Sequence, residues 1–242
     1  MSSAHRRGLP MLLEEHNAAL AGCRRCGHGH VVRPIVSEAR SPRIVIVGQA
    51  PGQVEEAGGR PFSGRAGKTL FRWLERAGVD EVTVRRSIYI SAITRCYPGP
   101  SASGRGDRAP SPREQSLCAD WLTTELRLIR PALLIPIGRM AIDRLLGKLP
   151  LDAVIGRAHP IELDGRRVRV VPLPHPSGAS SWINLPEHKA LLGRALELLR
   201  AEFIRIGVAK TDDGSPIVRR ERAAARARSG PTILNPRLTG RL

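Results

Sequence analysis

"IVIVGQAPGQVEEAGGRPFSGRAGK", residues 44–68, begins as a run of β-branched residues and breaks at Gly48 into glycine, proline and paired glutamates. An apolar run this continuous reads as a strand buried on both faces, as in a parallel sheet, and the glycine-rich break marks its carboxyl end. Three further runs share the character: "SIYISAI" at 87–93, "ALLIPIG" at 132–138 and "RVRVVPLPH" at 167–175. Helical periodicity fills the intervals at 66–78, 112–130 and 139–147, and "PEHKALLGRALELLRAEFIRIG" closes the pattern. Strands alternating with helices predict a three-layer α/β/α domain, whose ligands bind beyond the carboxyl ends of the strands. The least ordinary chemistry lies there: "GQAPG" after the first strand, "CYPGP" after the second and "HPSG" after the fourth. Three loops are expected to converge on one cleft.

The 242 residues, 41% of them hydrophobic, suffice for one core. A net charge of +17 predicts attraction to a polyanion, with nucleic acid the first candidate. No apolar run is long enough to span a bilayer, and the opening "MSSAHRRGLPMLLEEHNAAL" has no cleavable signal pattern, so a cytoplasmic, nucleoid-associated monomer without membrane attachment is expected. One domain is expected over 1–206, with an N-terminal helix and the first cysteine pair, followed by a basic, disordered tail at 207–242. The basic, small-residue loop "PGPSASGRGDRAPSP" at 98–112 also reads as mobile, and both segments could follow a phosphate backbone.

Cys23 and Cys26 have the spacing with which two thiolates grip one metal centre, Cys96 follows the second strand and Cys118 lies in the next helix. Together they would make a closed thiolate site for tetrahedral zinc or an iron–sulfur cube. His28 and His30 in "CRRCGHGH" offer a local zinc knuckle instead, although that histidine spacing is unusual for zinc and leaves two cysteines unused.

These motifs resemble the uracil-DNA glycosylase superfamily over roughly residues 20–205, most closely its iron–sulfur family 4, with family 5-like features. "GQAPGQVEEAGGRPFSGRAG" resembles the family-4 first motif, "YISAITRC" the second-strand motif ending in a cluster cysteine, and "HPSG" the histidine motif. The resemblance implies a central four-stranded parallel sheet between helices and a structural 4Fe–4S cluster on Cys23, Cys26, Cys96 and Cys118, with zinc the lesser occupant. The long stretch between Cys96 and Cys118 departs from the shorter family loop.

The same resemblance implies site roles. Backbone amides from Gly48 through Gln49, Ala50 and Pro51 to Gly52 would form a cradle for the base, Phe62 would stack on it, and His175 would donate a hydrogen bond to its carbonyl oxygen as it leaves. Glu55 would orient the water or offset charge on the sugar, at a motif whose third position is Ala50. Gln49 stands where family 4 has glutamate, and Ala92 where it has the asparagine that reads uracil. Base discrimination should be relaxed accordingly. Ser177 is a phosphate-contact candidate, Trp182 and Ile183 are candidates for the wedge that fills the hole left by the base, and Arg65 and Lys68 are further phosphate contacts. Trp182 packed against the last helix is the competing expectation.

The function so implied is hydrolysis of the N-glycosidic bond of uracil and other deaminated bases in DNA, leaving an abasic site and initiating base-excision repair. A protein of the same fold that binds uracil or abasic DNA without turnover is the alternative, kept open by Ala50 and Ala92. A metal-bearing RNA-binding protein fits the charge but not "GQAPG" and "HPSG" together.

Overall fold

The computed structural model describes residues 3–27, 32–103, 106–177 and 181–209. The elements run α1 (Ser3–Ala21), β1 (Ile44–Gly48), α2 (Gln53–Gly58), α3 (Arg65–Arg76), α4 (Glu81–Ser87), β2 (Ile88–Ala92), α5 (Pro112–Ile129), β3 (Leu133–Pro136), α6 (Gly138–Leu146), α7 (Leu151–Val154), β4 (His159–Leu163), β5 (Arg166–Val170) and α8 (Pro186–Ile206). The sheet has the order β2-β1-β3-β5-β4, with every neighbouring pair parallel except β4 with β5. The four expected strands therefore form the parallel sheet of a three-layer α/β/α domain, and β4 is an addition at one edge.

All the residues of β1 and β3 are buried, as their unbroken apolar runs require, whereas β5 alternates buried Val168 and Val170 with exposed Arg167 and Arg169. This corrects the reading of β5 as a strand buried on both faces. It forms a hairpin with β4 through Asp164 and Gly165, both at positive φ. β4 itself carries Pro160, which cannot donate to a ladder and so suits an edge. Past Val170 the chain stays extended, and the amides of Val171 and Leu173 donate to Leu134 and Pro136 of β3 at 3.0 and 2.9 Å. That pairing delivers His175 to the carboxyl edge of the sheet.

One short helix lacks the periodicity that would mark it. α4 reads "EVTVRRS", a strand-like composition, and is started by Asp80, whose carboxylate accepts from the Thr83 amide at 2.7 Å. α5 begins with Pro112 inside a capping box in which Ser111 and Glu114 satisfy each other's backbone amides.

α1 packs on α5 over a buried carboxylate. Glu125 of α5, fully buried, accepts from Tyr89 Oη at 3.0 Å and Ser91 Oγ at 2.7 Å, pairs with the Arg95 guanidinium, and meets His16 Nε2 at 3.3 Å. Burial first, then the Arg95 charge, lowers the His16 pKa to about 4, so its ring joins as a neutral donor. Tyr89 Oη also lies 2.7 Å from Asn17 Oδ1. One carboxylate thus ties α1, β2, the loop after β2 and α5 together.

Residues 28–31, with the histidines of the zinc-knuckle alternative, and 210–242, nearly all of the basic tail, lie outside the described residues. No helix among those described is long and apolar enough to cross a membrane.

Glu125→Ala leaves the Arg95 guanidinium buried without its counter-charge, and chemical unfolding is expected to show a loss of about 3–5 kcal/mol. Tyr89→Phe, which removes one donor and keeps the ion pair, is expected to cost about 1 kcal/mol in the same measurement.

Candidate active site

A cavity of about 350 Å³ opens at the carboxyl ends of β1 and β2 and beside the segment after β5. Gly48, Gln49, Ala50, Pro51, Gly52, Glu55, Phe62, Ala92, His175 and Ser177 all line it, so the loops after β1 and β5 meet there, whereas the "CYPGP" of residues 96–100, expected from the second loop, does not line it. Ile35, Ser91, Arg95, Asp107, Arg108 and Ile137 complete much of its wall.

Phe62 is held there in a left-handed conformation, φ 53°, which a non-glycine residue adopts only when its surroundings enforce it. The enforcing group is Arg85, whose buried guanidinium donates to the carbonyls of Pro61 at 2.9 Å and Phe62 at 3.3 Å. Arg85 is itself fixed by Glu81 at 2.8 Å and lies 4.6 Å over the Phe71 ring. Gly67 of α3 is needed because any Cβ would overlap the Phe62 carbonyl. The ring then leans over the end of β1, where a Cβ on Gly48 would stand 3.2 Å from its Cζ. An aromatic ring set against bare backbone gives the cavity a wall suited to a flat ring.

Glu55 is almost fully buried and clamps two loops: Oε2 accepts from the Gly52 amide at 3.1 Å and Oε1 from the Gly64 amide at 2.8 Å. The turn after β1 is thereby joined to the loop that carries Phe62. The clamp also narrows the expected cradle. Pro51 has no amide hydrogen and Gly52 gives its own to Glu55, which leaves the amides of Gln49 and Ala50 for a ligand.

The neutral tautomer of His175 follows from its neighbours. The Ser177 amide, which can only donate, lies 3.3 Å from Nδ1, and Ser177 Oγ lies 2.8 Å from the same atom. Nδ1 is thus an acceptor and the ring proton resides on Nε2, as a donor to a ligand oxygen requires. Burial lowers the His175 pKa and favours this neutral form. Gly138 at the start of α6 makes room: a Cβ there would lie 2.9 Å from His175 Cδ2. Ser177, expected on a phosphate, orients the imidazole.

Trp182 and Ile183 do not line the cavity. They belong to a 3₁₀ turn, Ser181–Asn184, and pack partly buried against the core. The Trp182 ring stacks on His188 of α8 with centroids 4.0 Å apart, and its Nε1 donates to Asp152 of α7 at 3.1 Å. The packed arrangement is the one observed. Arg65 and Lys68 line a more open hollow along α3 with Arg72, next to the mouth that Ala66 borders.

Cys23, Cys26, Cys96 and Cys118 come from three separate parts of the chain and line one small pocket, all as free thiols. Burial, and then Cys118, Cys26 and Cys23, push the Cys96 thiol up to about 12. A soft, four-sulfur donor set fits a thiophilic metal or an iron–sulfur cube. The thiols share this pocket although, among the described residues, no three His, Cys, Asp or Glu side chains are close enough together to hold a metal ion.

Nothing in the sequence marks Arg95 or Asp107 as site residues. Arg95 lines both the large cavity and the cysteine pocket and is a wall between them. Asp107 arrives from the 98–112 loop, whose described flanks are tied back rather than loose. The Ser101 amide donates to Gly106 at 2.9 Å, that of Arg108 to Gly99 at 3.0 Å, and Arg108 grips Glu114 with two bonds of 2.8 and 2.6 Å. Irregular pairing within a loop leaves no periodic trace in composition.

The family model of the uracil DNA glycosylase superfamily matches residues 35–200, a span that holds β1, the Phe62 loop, Ala92 and His175. The chain belongs to the uracil-DNA glycosylase superfamily. It is 30% identical over 168 residues to the type-4 uracil-DNA glycosylase of Thermotoga maritima, a match covering 69% of this chain and 82% of that one. It is 33% identical over 139 residues to the type-4 enzyme of Archaeoglobus fulgidus, covering 55% and 65% of the two chains. The type-4 uracil-DNA glycosylase of Saccharolobus solfataricus is 30% identical over 154 residues, 61% of this chain and 66% of that one.

Nitrogen-15 spectra of the imidazoles are expected to show His175 as the Nε2–H tautomer at neutral pH, with a protonation midpoint below the ordinary value of 6.5. Ser177→Ala, which removes the hydroxyl and keeps the backbone amide, is expected to weaken the preference for that tautomer without reversing it.

Proposed function

We propose that this protein is a monofunctional DNA glycosylase that removes uracil from DNA by hydrolysis and leaves an abasic site for base-excision repair. The observation that carries this reading is the meeting, in one cavity, of a strained Phe62 ring, the bare backbone of Gly48 to Ala50 and a His175 whose tautomer presents an N–H. The relatives named as type-4 uracil-DNA glycosylases support it.

The target base must leave the stack to be reached, and it would enter the cavity that Phe62 and the end of β1 line together. As the C1′–N bond breaks, its electron pair moves into the base. His175 Nε2–H then donates to the carbonyl oxygen on which negative charge grows, while the Gln49 and Ala50 amides add fixed dipoles. These donors are stronger inside a walled cavity than they would be in water.

Ala92 at the end of β2 and Gln49 after β1 support relaxed discrimination. A methyl group at 92 offers no hydrogen bond to the base edge and leaves space for a larger ring, so hypoxanthine and xanthine become admissible beside uracil. The net charge of +17 and the basic residues Arg65, Lys68 and Arg72 along α3 support phosphate contacts beside the cavity.

Cys23, Cys26, Cys96 and Cys118 would hold a 4Fe–4S cluster, with zinc the lesser occupant. Such a group supplies a cross-link between the end of α1, the loop after β2 and α5, and the glycosidic chemistry is left to the cavity.

A time course on a uracil-containing oligonucleotide, developed with alkali, is expected to show many turnovers, and His175→Ala is expected to lower the rate by about 10²-fold or more. A single stoichiometric event would instead assign a protein that binds without turnover. Hypoxanthine and xanthine duplexes are expected to be cut as well, and strict uracil selectivity would refute the relaxed pocket. The purified protein is expected to be brown with about four irons per chain; a colourless zinc protein would refute the cluster.

A further inference from the structure

Two acids line the cavity, Glu55 and Asp107. Hydrolysis needs a group to align water and to face the positive charge that grows on the sugar. Ala50 carries none, and the Gln49 amide takes up no proton. Glu55 has each of its oxygens committed to a backbone amide, Gly52 at 3.1 Å and Gly64 at 2.8 Å.

Asp107 is differently placed. It pairs with Pro100 across the turned-back loop and is exposed, with Oδ2 directly over Gly52. A Cβ on Gly52 would stand 2.7 Å from Asp107 Oδ2 and 2.8 Å from Glu55 Oε2, so two carboxylates flank one point on the wall of the cavity. Burial, and then the Asp107 carboxylate beside it, raise the Tyr97 pKa. The adjacent cation, Arg108, is drawn to Glu114 by two hydrogen bonds, a pairing that lowers the Glu114 pKa to about 2. The negative charge of Asp107 is left facing the cavity.

We propose that Asp107 is the catalytic carboxylate of this protein, aligning the attacking water and opposing the sugar's positive charge; the inference rests on the glycosylase reading above. In the step, the C1′–N bond breaks and its electron pair leaves with the base. The water oxygen bonds to C1′, its proton passes to the Asp107 carboxylate and on to solvent, and the departed base anion takes a proton from solvent. The loop that sets this chain apart from the shorter family pattern thereby supplies the group that the first motif, with alanine in third place, lacks.

The test compares duplexes carrying a cationic pyrrolidine abasic analogue and a neutral tetrahydrofuran one, which requires no turnover. Asp107→Asn keeps the size and shape of the side chain and removes the charge, and is expected to reduce the preference for the cationic duplex on the order of tenfold, with the neutral duplex bound as before. Single-turnover excision of uracil is expected to fall about 10²-fold in the same variant, and formate is expected to restore part of the rate of Asp107→Ala. Glu55→Gln, which loosens the backbone clamp, should weaken both duplexes alike. The inference is overturned if Asp107→Asn keeps both preference and rate, or if the selective loss of the cationic duplex belongs to Glu55→Gln. A wild-type protein that prefers the cationic duplex through Asp107 yet excises nothing would leave this placement standing and refute the glycosylase reading.

Discussion

The molecule is organised around a carboxylate that water does not reach. Glu125 would be untenable in the interior as a lone charge, and it is tolerated because Arg95, Tyr89, Ser91 and His16 converge on it from three other segments. Each of those donors is also committed to something else. Arg95 separates the base cavity from the cysteine pocket, Ser91 precedes Ala92 on the cavity floor, and His16 belongs to the helix that ends just before Cys23. The geometry of both pockets therefore descends from one buried ion pair.

The cavity is rigid for a related reason, since its working groups are held by contacts that leave little choice. Phe62 keeps its left-handed backbone because Arg85 grips two successive carbonyls, and Gly67 keeps the path of that loop open. His175 is fixed in tautomer by Ser177 and in position by the bare backbone of Gly138. Strain near 62 and close approach near 138 are stored in the folded state before any ligand arrives, so little reorganisation is left for the moment of reaction.

Most of this was legible in the chain. β1, β2 and β3 are unbroken apolar runs, the large helices are periodic, and the odd residues after strands one and four do surround one cavity. Four cysteines from three separate parts of the chain also gather in one pocket. What stayed hidden has two physical origins. α4 and the β4–β5 hairpin are set by capping and by edge pairing, which override the propensity of residues such as Val82, Val84, Arg167 and Arg169. Arg95 and Asp107 act through tertiary placement: a lone arginine before a cysteine, or an aspartate in a glycine-rich loop, reads as solvated until the partner elements are in view. Trp182, a conspicuous aromatic after "HPSG", is instead found against His188 and Asp152, partners that its place in the sequence does not announce.

The outer edge of the sheet carries one more consequence. On β4, Pro160 presents no donor and Glu162 is exposed, so a foreign strand approaching there would find a broken ladder and a charge that resists burial. A chain this basic gathers many copies wherever polyanions are dense, and crowding of that sort tests every unpaired strand. The proline at the rim makes the sheet a finished object, able to be concentrated on a charged scaffold without being extended by its own kind.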